Sequence, residues 1–202
     1  LGRDVMIVFH GRSSLQVGGQ RAGRQIHWVD TDVAAVADEA NDCQYVIPEL
    51  EQNDVRSHTS FNAAAFLVTG SLPPFAYIRS LDAGEGRFYN WDDEHEGRRV
   101  AFLGSDAKKQ LFGSRPAVGQ LVYLNDAPYV VIGVMAKKKQ DSSYDGWDVN
   151  KIFIPFTTMR RDFPDKPPGT PFTFDQLLVM PKSVEQHQSC KTQLRRALGR
   201  LH

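Results

Sequence analysis

The sequence has no run of roughly 18 apolar residues, so no segment of it is expected to cross a membrane as a helix. Its first residues also lack a basic segment followed by an apolar one, and no secretory signal is expected there. Neither charge sign is in excess, because 24 basic residues balance 24 acidic ones. Since phosphate binding is driven by a basic excess, the composition disfavours a nucleic-acid-binding protein.

Cysteine is scarce, with only Cys43 and Cys190 in 202 residues. Their separation matches no metal-binding motif. A disulfide would require an oxidising compartment. The sequence favours the alternative, two small buried side chains, and leaves their pairing open.

Motifs for catalysis and cofactor binding are also missing. Ser13 and Ser105 lie beside glycines, but neither fits a Gly-x-Ser-x-Gly elbow. The segment 84–86 lacks the remaining glycine of a dinucleotide-binding fingerprint. The histidines form no His-x-x-x-His pair, so no zinc site is expected. We therefore predict no catalytic residue, cofactor or metal in this chain.

The acidic run 92–96 lacks the ligand offsets of a calcium loop. Runs of charge between strands are usually exposed, so we predict a solvated turn here. One enzymatic alternative remains, a hydrolase whose site is assembled from Ser105, His95 and Asp92, because triads are recognised by geometry alone.

The apolar pattern predicts an α+β domain. Strands are predicted over 4–10, 24–29, 43–47 (stopped by Pro48), 55–68, 99–103, 120–124, 129–135, 151–156 and 174–180, with helices beginning at 30, 73, 106 and 184. The two ends of the chain alternate strands with helices. The middle is mostly strands, which indicates a β-rich insertion.

One hairpin stands out in that insertion. Asn125 and Asp126 favour a tight turn between the strands 120–124 and 129–135. Apolar residues occupy both faces of these two strands. This pattern favours a buried hairpin or a small barrel over a sheet with one wet side.

Arg87 is the charged residue with the clearest predicted role. It lies between Gly86 and Phe88, and its planar fork can bind carboxylates. We predict a structural clamp to a nearby aspartate such as Asp92 or Asp148.

A second set of residues is predicted to contact a partner. Aromatic side chains beside charges are enriched in contact surfaces, and such a loop follows the hairpin. The predicted residues are Asn125 and Asp126 in the turn, with Lys137, Lys138, Tyr144 and Trp147 in the loop.

The insertion and its flanks carry a family likeness. The series comprises Gly86-Arg87-Phe88, Asp92-Asp93, 100–104, Leu111-Phe112-Gly113, Val118-Gly119-Gln120, 129–134, and Asp148 with Ile154-Pro155. In this order the segments resemble the MacB-like periplasmic core domain of ABC-transporter permeases in the MacB/FtsX/LolC group. The likeness extends upstream to Leu1-Gly2, the helix start at 30–32 and the strand with Pro48, and so covers nearly the whole chain.

The resemblance implies a two-part periplasmic domain between the first two membrane helices of an inner-membrane permease. A mixed α/β "Porter" part would comprise 1–80 and 172–202, and an inserted β-rich "Sabre" part 81–171. The domain itself would not be an enzyme, since ATP would be hydrolysed in the cytosol by a separate ATPase domain or subunit. Its partners would be that ATPase, a second permease copy and a periplasmic adaptor with an outer-membrane channel.

Several functions fit this resemblance. The domain would couple ATP hydrolysis to periplasmic substrate handling or efflux by binding substrate or an adaptor and transmitting motion. A lipoprotein-release permease and a free-standing periplasmic binding protein are alternatives, the latter expected to hold a closed pocket of roughly 300–1,000 Å³. The absence of Met at Leu1 and of a final strand after the last helix leads us to expect a piece of a longer protein.

Overall fold

A computed structural model of the chain describes residues 4–9, 28–137, 148–164, 173–174 and 176–201. The strands are β1 Met6–Phe9, β2 Trp28–Val29, β3 Cys43–His58, β4 Ala63–Ser71, β5 Ala83–Gly86, β6 Val100–Leu103, β7 Leu121–Leu124, β8 Ala127–Met135, β9 Lys151–Pro155, β10 Thr173–Phe174 and β11 Gln176–Pro181. The helices are α1 Asp30–Glu39, α2 Phe75–Arg79, α3 Trp91–Glu96, α4 Ser105–Phe112, α5 Phe156–Asp162 and α6 His187–Leu201, with a 3₁₀ turn at Asp148–Asn150.

The chain divides into two compact units, one inserted into the other, which confirms the predicted two-part α+β fold. The first unit comprises Leu1–Glu49 and Lys166–His202, and the second comprises Leu50–Asp165. The second half of β3 and all of β4 belong to the inserted unit, because they pair with its other strands.

The first unit contains a short antiparallel sheet and two helices. β11 lies between β1 and the first half of β3, and β2 pairs separately with β10. Helices α1 and α6 pack against each other. Leu177, Leu178 and Val179 of β11 are buried in this unit, as are Leu194 and Ala197 of α6. β11 is buried along its whole length, whereas α6 buries only one side.

The two cysteines form a disulfide in this unit, which corrects the reading of them as two unpaired buried side chains. Cys43 begins β3 and Cys190 lies in the first turns of α6, and both are buried. The bond joins residues 147 positions apart. Two glutamines also bond to Asp42: Gln193 of α6 accepts from its backbone amide through Oε1 at 2.8 Å, and Gln186, just before α6, donates from Nε2 to its carboxylate at 3.1 Å.

The second unit is a ring of six strands. The order is β3, β4, β9, β6, β8 and β7, and β7 pairs with β3 again at Ser57 and His58 to close the ring. β5 pairs with the last three residues of β8, at 133–135. The unit buries nearly inaccessible side chains on both faces of these strands, among them Phe102, Val122, Leu124, Tyr129, Ile152 and Phe153.

Three local predictions are corrected by the structure. Pro48 does not end its strand, because its fixed φ suits an extended chain and β3 runs on to His58. The last helix begins at His187 instead of Val184, which is 74% exposed. The acidic run 92–96 is a helix and not a solvated turn, since Asp93 and Glu94 are buried and bonded.

The hairpin turn is confirmed. Asn125 and Asp126 have φ values of 45° and 67°, as a type I′ turn requires at both central positions. Over the hairpin itself, 121–130, the two strands are buried on one face only, however. Leu121 and Val130 point outward and are 45% and 40% exposed, so the hairpin is a wall of the ring and not a fully buried element.

Candidate functional site

The outer surface of the β7–β8 hairpin is apolar. Leu121 lies opposite Val130, and Tyr123 lies opposite Pro128, so the four side chains share one face. We call these four residues the hairpin face. Alternate residues such as Val122 and Tyr129 point into the core of the ring.

The hairpin face continues onto β3. The His58 ring stacks on the Tyr123 ring with 4.8 Å between centroids and an interplanar angle of 7°. Val118, just before β7, adds another side chain that is 39% exposed. An antiparallel sheet usually presents polar residues to water on its outer face. A contiguous outward apolar patch is instead typical of an interaction surface.

Only some of the predicted partner residues lie beside the hairpin face. Asn125 and Asp126 are exposed at the turn beside the hairpin face. Lys137 is also exposed but lies beyond the other end of β8, whose nine residues span roughly 30 Å. The structure therefore does not bring Lys137 together with the turn. Lys138, Tyr144 and Trp147 lie outside the described residues.

Sequence reasoning missed Leu121 and Val130 as surface residues. The signal was present, because apolar residues occupy both faces of β7 and β8. We interpreted that pattern as two-sided burial. A strand with one buried face and an apolar outer face that binds a partner produces the same pattern.

Arg87 forms a clamp with Asp93. Its Nη1 donates to Asp93 Oδ2 at 2.7 Å and its Nη2 donates to Oδ1 at 3.3 Å. Arg98 Nη1 also donates to Oδ1, at 3.1 Å. The Asp93 carboxylate accepts from the Asn90 amide at 2.9 Å, while Asn90 Oδ1 accepts from the Asp93 amide, which completes a capping box at the start of α3.

These bonds decide the ionisation of Asp93. Burial alone would raise the pKa of Asp93, but the bonds from Arg87, the Asn90 amide and Arg98 outweigh burial and hold that pKa below its ordinary value. Asp93 therefore stays charged at neutral pH. Its role is to fix the start of α3 against the two arginines.

The two aspartates predicted for the clamp lie elsewhere. Asp92 is exposed on α3. Asp148 is fully buried and pairs with Arg79 Nη2 at 2.8 Å and with Lys151 Nζ at 3.2 Å. Arg87 thus binds the immediate neighbour of the predicted Asp92, because the third position of α3 is the one that points back to the helix start.

Helix α3 is joined to α5 through Glu94. Its carboxylate accepts from the Thr157 amide at 3.0 Å and from the Thr157 hydroxyl at 2.6 Å, near the positive end of α5. Two further bonds return from α5, since the Thr158 hydroxyl donates to the Arg98 carbonyl and Arg161 donates to the Gly97 carbonyl. The segment from α3 to β6 is therefore tied to α5 at several points.

Asp162 at the end of α5 gathers a second set of partners. Arg99 donates to both of its oxygens, at 2.9 and 3.0 Å, and Arg161 Nε donates at 3.2 Å. The buried Tyr129 hydroxyl also donates to it. Burial alone would raise the pKa of Asp162, but Arg99, Tyr129 and Arg161 lower it to about 2. Burial, and then the bond to Asp162, raise the pKa of Tyr129.

The described residues of this unit do not form a catalytic triad or a metal site. No hydrogen bond joins Ser105, His95 and Asp92 in the described part of the chain, so the hydrolase alternative gains no support. No group of three or more potential metal ligands occurs among the described residues. Nor does any helix in those ranges have the length and hydropathy to cross a membrane. The buried carboxylates hold helices in place.

Comparison with known proteins agrees with the fold and the motif series. The sequence model of the family described as "MacB-like periplasmic core domain" matches residues 2–197. The chain belongs to this family. It is thus a periplasmic domain of a MacB-like ABC transporter permease, as the resemblance implied.

The relatives of this MacB-like domain align with it over only part of their own length. The macrolide export ATP-binding/permease protein MacB of Chromobacterium violaceum is 27% identical over 158 residues, which are 78% of this chain and 23% of that protein. The pyoverdine export ATP-binding/permease protein PvdT of Pseudomonas aeruginosa is 33% identical over 90 residues, or 45% of this chain and 13% of that protein. The chain therefore spans less than a quarter of the length of these relatives.

Solved structures confirm the fold of the MacB-like domain. The extracellular domain of the noncanonical ABC-type transporter YknZ from Gram-positive bacteria has a TM-score of 0.77 at 18% identity, over 98% of this chain and 95% of that one. The periplasmic region of MacB from Actinobacillus actinomycetemcomitans has a TM-score of 0.77 at 19% identity, over 100% of this chain and 85% of that one.

Proposed function

We propose that this domain couples ATP hydrolysis by a cytosolic ABC ATPase to export on the periplasmic side, by contacting an adaptor protein and transmitting motion to it. The observation that carries the proposal is the family match over residues 2–197. The relatives named for macrolide and pyoverdine export favour efflux of a small molecule over lipoprotein release. In this proposal the first unit is the Porter part and the inserted unit is the Sabre part.

The hairpin face is the proposed adaptor contact. It combines outward apolar side chains at Leu121 and Val130 with an exposed polar turn at Asn125 and Asp126. An apolar centre with a polar rim is the usual composition of a protein interface. The adaptor would bury the apolar pair and pair its polar groups with the turn.

The ion-pair clamps support transmission of motion. A moving domain passes on displacement only if its own elements stay fixed relative to each other. Arg87 with Asp93 fixes the start of α3 to the end of β5, and Glu94 with Thr157 fixes α3 to α5. A push on the hairpin face would thus move the unit as a body instead of deforming it.

The test uses the complete transporter that carries this domain, with its adaptor and outer-membrane channel, in a macrolide-sensitive strain. The double variant Leu121→Ser/Val130→Ser removes the apolar centre without changing charge. We expect adaptor co-purification and macrolide resistance to fall at least tenfold, while basal ATP hydrolysis of the purified transporter stays within twofold.

The control is Val184→Ser, which changes a valine of the first unit that is 74% exposed, more than Leu121 or Val130. It should behave like the unaltered protein in all three measurements. Unchanged adaptor binding in the double variant would reject the hairpin face as the contact. Loss of resistance by a variant that still binds adaptor would reject the coupling role assigned to that contact.

A further inference from the structure

An exposed phenylalanine lies close to the hairpin face. Phe61, in the turn between β3 and β4, is 47% exposed, and its ring centroid is 6.5 Å from that of the buried Phe112. It follows His58 by three residues, a length of chain that spans at most roughly 11 Å. Since the His58 ring stacks on Tyr123, Phe61 is within reach of the surface proposed above as the adaptor contact.

Hydrogen bonds of Thr59 fix the turn that carries Phe61. The Thr59 hydroxyl donates to the Leu111 carbonyl at 2.7 Å, and it accepts from the Phe61 amide at 3.1 Å and from the Asn62 amide at 3.3 Å. The turn is therefore held to the end of α4. A surface whose backbone is already fixed loses less conformational entropy when a partner binds.

The Arg115 side chain lies over the Phe61 ring. Its Cζ is 4.1 Å from the ring centroid, which is within the range of a cation–π contact. Arg115 is exposed, and its guanidinium forms no ion pair or hydrogen bond within the described part of the chain. Other arginines of the same unit do pair with carboxylates, namely Arg79, Arg87, Arg98, Arg99 and Arg161.

The free guanidinium can bind a carboxylate without leaving the ring. A carboxylate binds in the plane of the guanidinium, through two parallel N–H···O bonds, whereas an aromatic ring contacts its face. Both partners can therefore be bound at once. Because Arg115 is already placed over Phe61, it has less side-chain freedom to lose on binding.

The local charge also favours an acidic partner. The segments 55–63 and 107–118 carry Phe61 and Arg115, and they contain four Lys or Arg residues but no Asp or Glu. One of these cations, Lys108, donates to the Gly113 carbonyl at 2.9 Å, and Lys109 is exposed. The excess is local, since the whole chain has equal numbers of basic and acidic residues. A positive patch binds a complementary negative one.

We infer that Arg115, held over Phe61, binds a carboxylate of the adaptor, and that an apolar side chain next to that carboxylate packs on the Phe61 ring. The inference rests on the adaptor contact proposed above, and it specifies the chemistry of the adaptor segment as an Asp or Glu beside an apolar residue. The apolar hairpin face gives the contact area, and the bidentate pair fixes the orientation of the partner.

The first test is charge reversal at Arg115 in the complete transporter, with its adaptor and outer-membrane channel. Arg115→Glu should lower adaptor co-purification about tenfold, because it places like charges together. Arg115→Lys keeps the charge but not the planar fork, and should lower it about threefold. The matched control, Lys109→Glu, makes the same change of charge on an exposed residue of the same segment and should stay within twofold of the unaltered protein.

The second test identifies the group that Arg115 binds. Phe61→p-benzoylphenylalanine keeps an aromatic ring and leaves Arg115 unaltered, so it serves even if the charge-reversed chain fails to fold. Irradiation should cross-link position 61 to an adaptor peptide that contains Asp or Glu, identified by mass spectrometry. Replacing that acidic residue of the adaptor by lysine should restore binding to Arg115→Glu. The same photoreactive residue at Val184 should give no adaptor cross-link.

Two results would overturn the inference. One is adaptor binding by Arg115→Glu equal to that of the unaltered transporter. The other is a cross-link from position 61 to an adaptor segment without an acidic residue. The failure of the inference differs from that of the adaptor contact, which Leu121→Ser/Val130→Ser tests alone. Lost binding in that double variant with full binding by Arg115→Glu would keep the hairpin face and reject the carboxylate site, and full binding by both would reject both.

Discussion

The two units stabilise their helices by different chemistry. In the first unit a disulfide fixes α6 to β3, and Asp42 bonds to Gln193 of the helix and to Gln186 just before it. In the second unit α3 and α5 are fixed by carboxylates that bind arginines and helix amides. A disulfide is indifferent to pH and salt but sensitive to reductant. Ion pairs have the opposite sensitivities, so the two units can be perturbed separately.

The largest effect is expected from the disulfide. Replacing Cys43 and Cys190 by alanine should lower the free energy of unfolding by about 3–5 kcal/mol, because the bond closes a long loop in the unfolded chain. Urea unfolding at pH 7 measures the loss. A reductant should destabilise the unaltered chain by a similar amount and leave the cysteine-free variant unaffected. A reductant-insensitive midpoint for the unaltered chain would contradict the bond.

The Arg87–Asp93 clamp should have the next largest effect. Asp93→Ala removes the capping box and leaves two arginines without their buried partner, at a cost of about 2–3 kcal/mol. The adjacent Asp92→Ala is the matched control, since Asp92 is exposed on the same turn and should change stability by less than about 0.5 kcal/mol. Equal effects of the two substitutions would show that the clamp adds nothing.

Acid should weaken the second unit through Asp162. Its pKa is about 2 in the folded chain against an ordinary value of 3.8, so the folded state holds the charged form more strongly. The contribution is complete above about pH 4 and is lost as the pH falls through about 2. We expect a loss of about 1–2 kcal/mol, because water screens the partly exposed arginines.

Urea midpoints between pH 7 and pH 2.5 measure this acid loss. Asp162→Asn is less stable at pH 7 and should show a shallower decline in that range. The disulfide does not titrate and should not affect the acid dependence. The cysteine-free variant is therefore expected to keep the full acid dependence. Parallel acid curves for Asp162→Asn and the unaltered chain would show that Asp162 does not cause the loss of stability in acid.

Local features of the fold could be predicted from the sequence. Asn125-Asp126 defines its turn by residue type alone, and Gly113, with a φ of 63°, directly follows α4. The start of α3 was also readable, because Asn90 and Asp93 have the spacing of a capping box. We overlooked it by treating the acidic run as a charge cluster.

Features that depend on distant residues could not be predicted. The disulfide needs α6 to lie over the start of β3, which no local pattern specifies. Asp148 pairs with Arg79, which lies 69 positions away in the sequence. The hairpin face has the same sequence pattern as a strand buried on both sides, and only the closed ring shows which face is outward. Local propensity determines elements, whereas their pairing depends on packing.

The smallest effect is expected at Tyr129. Tyr129→Phe removes one hydrogen bond to Asp162 but leaves the carboxylate bound to Arg99 and Arg161, so no buried acceptor is left without a partner. The cost should be about 1 kcal/mol at pH 7. In a cycle with Asp162→Ala the two losses should fail to add, since both variants remove the same bond. Strict additivity would mean that the hydroxyl and the carboxylate stabilise the second unit independently, and that its polar contacts do not act as a network.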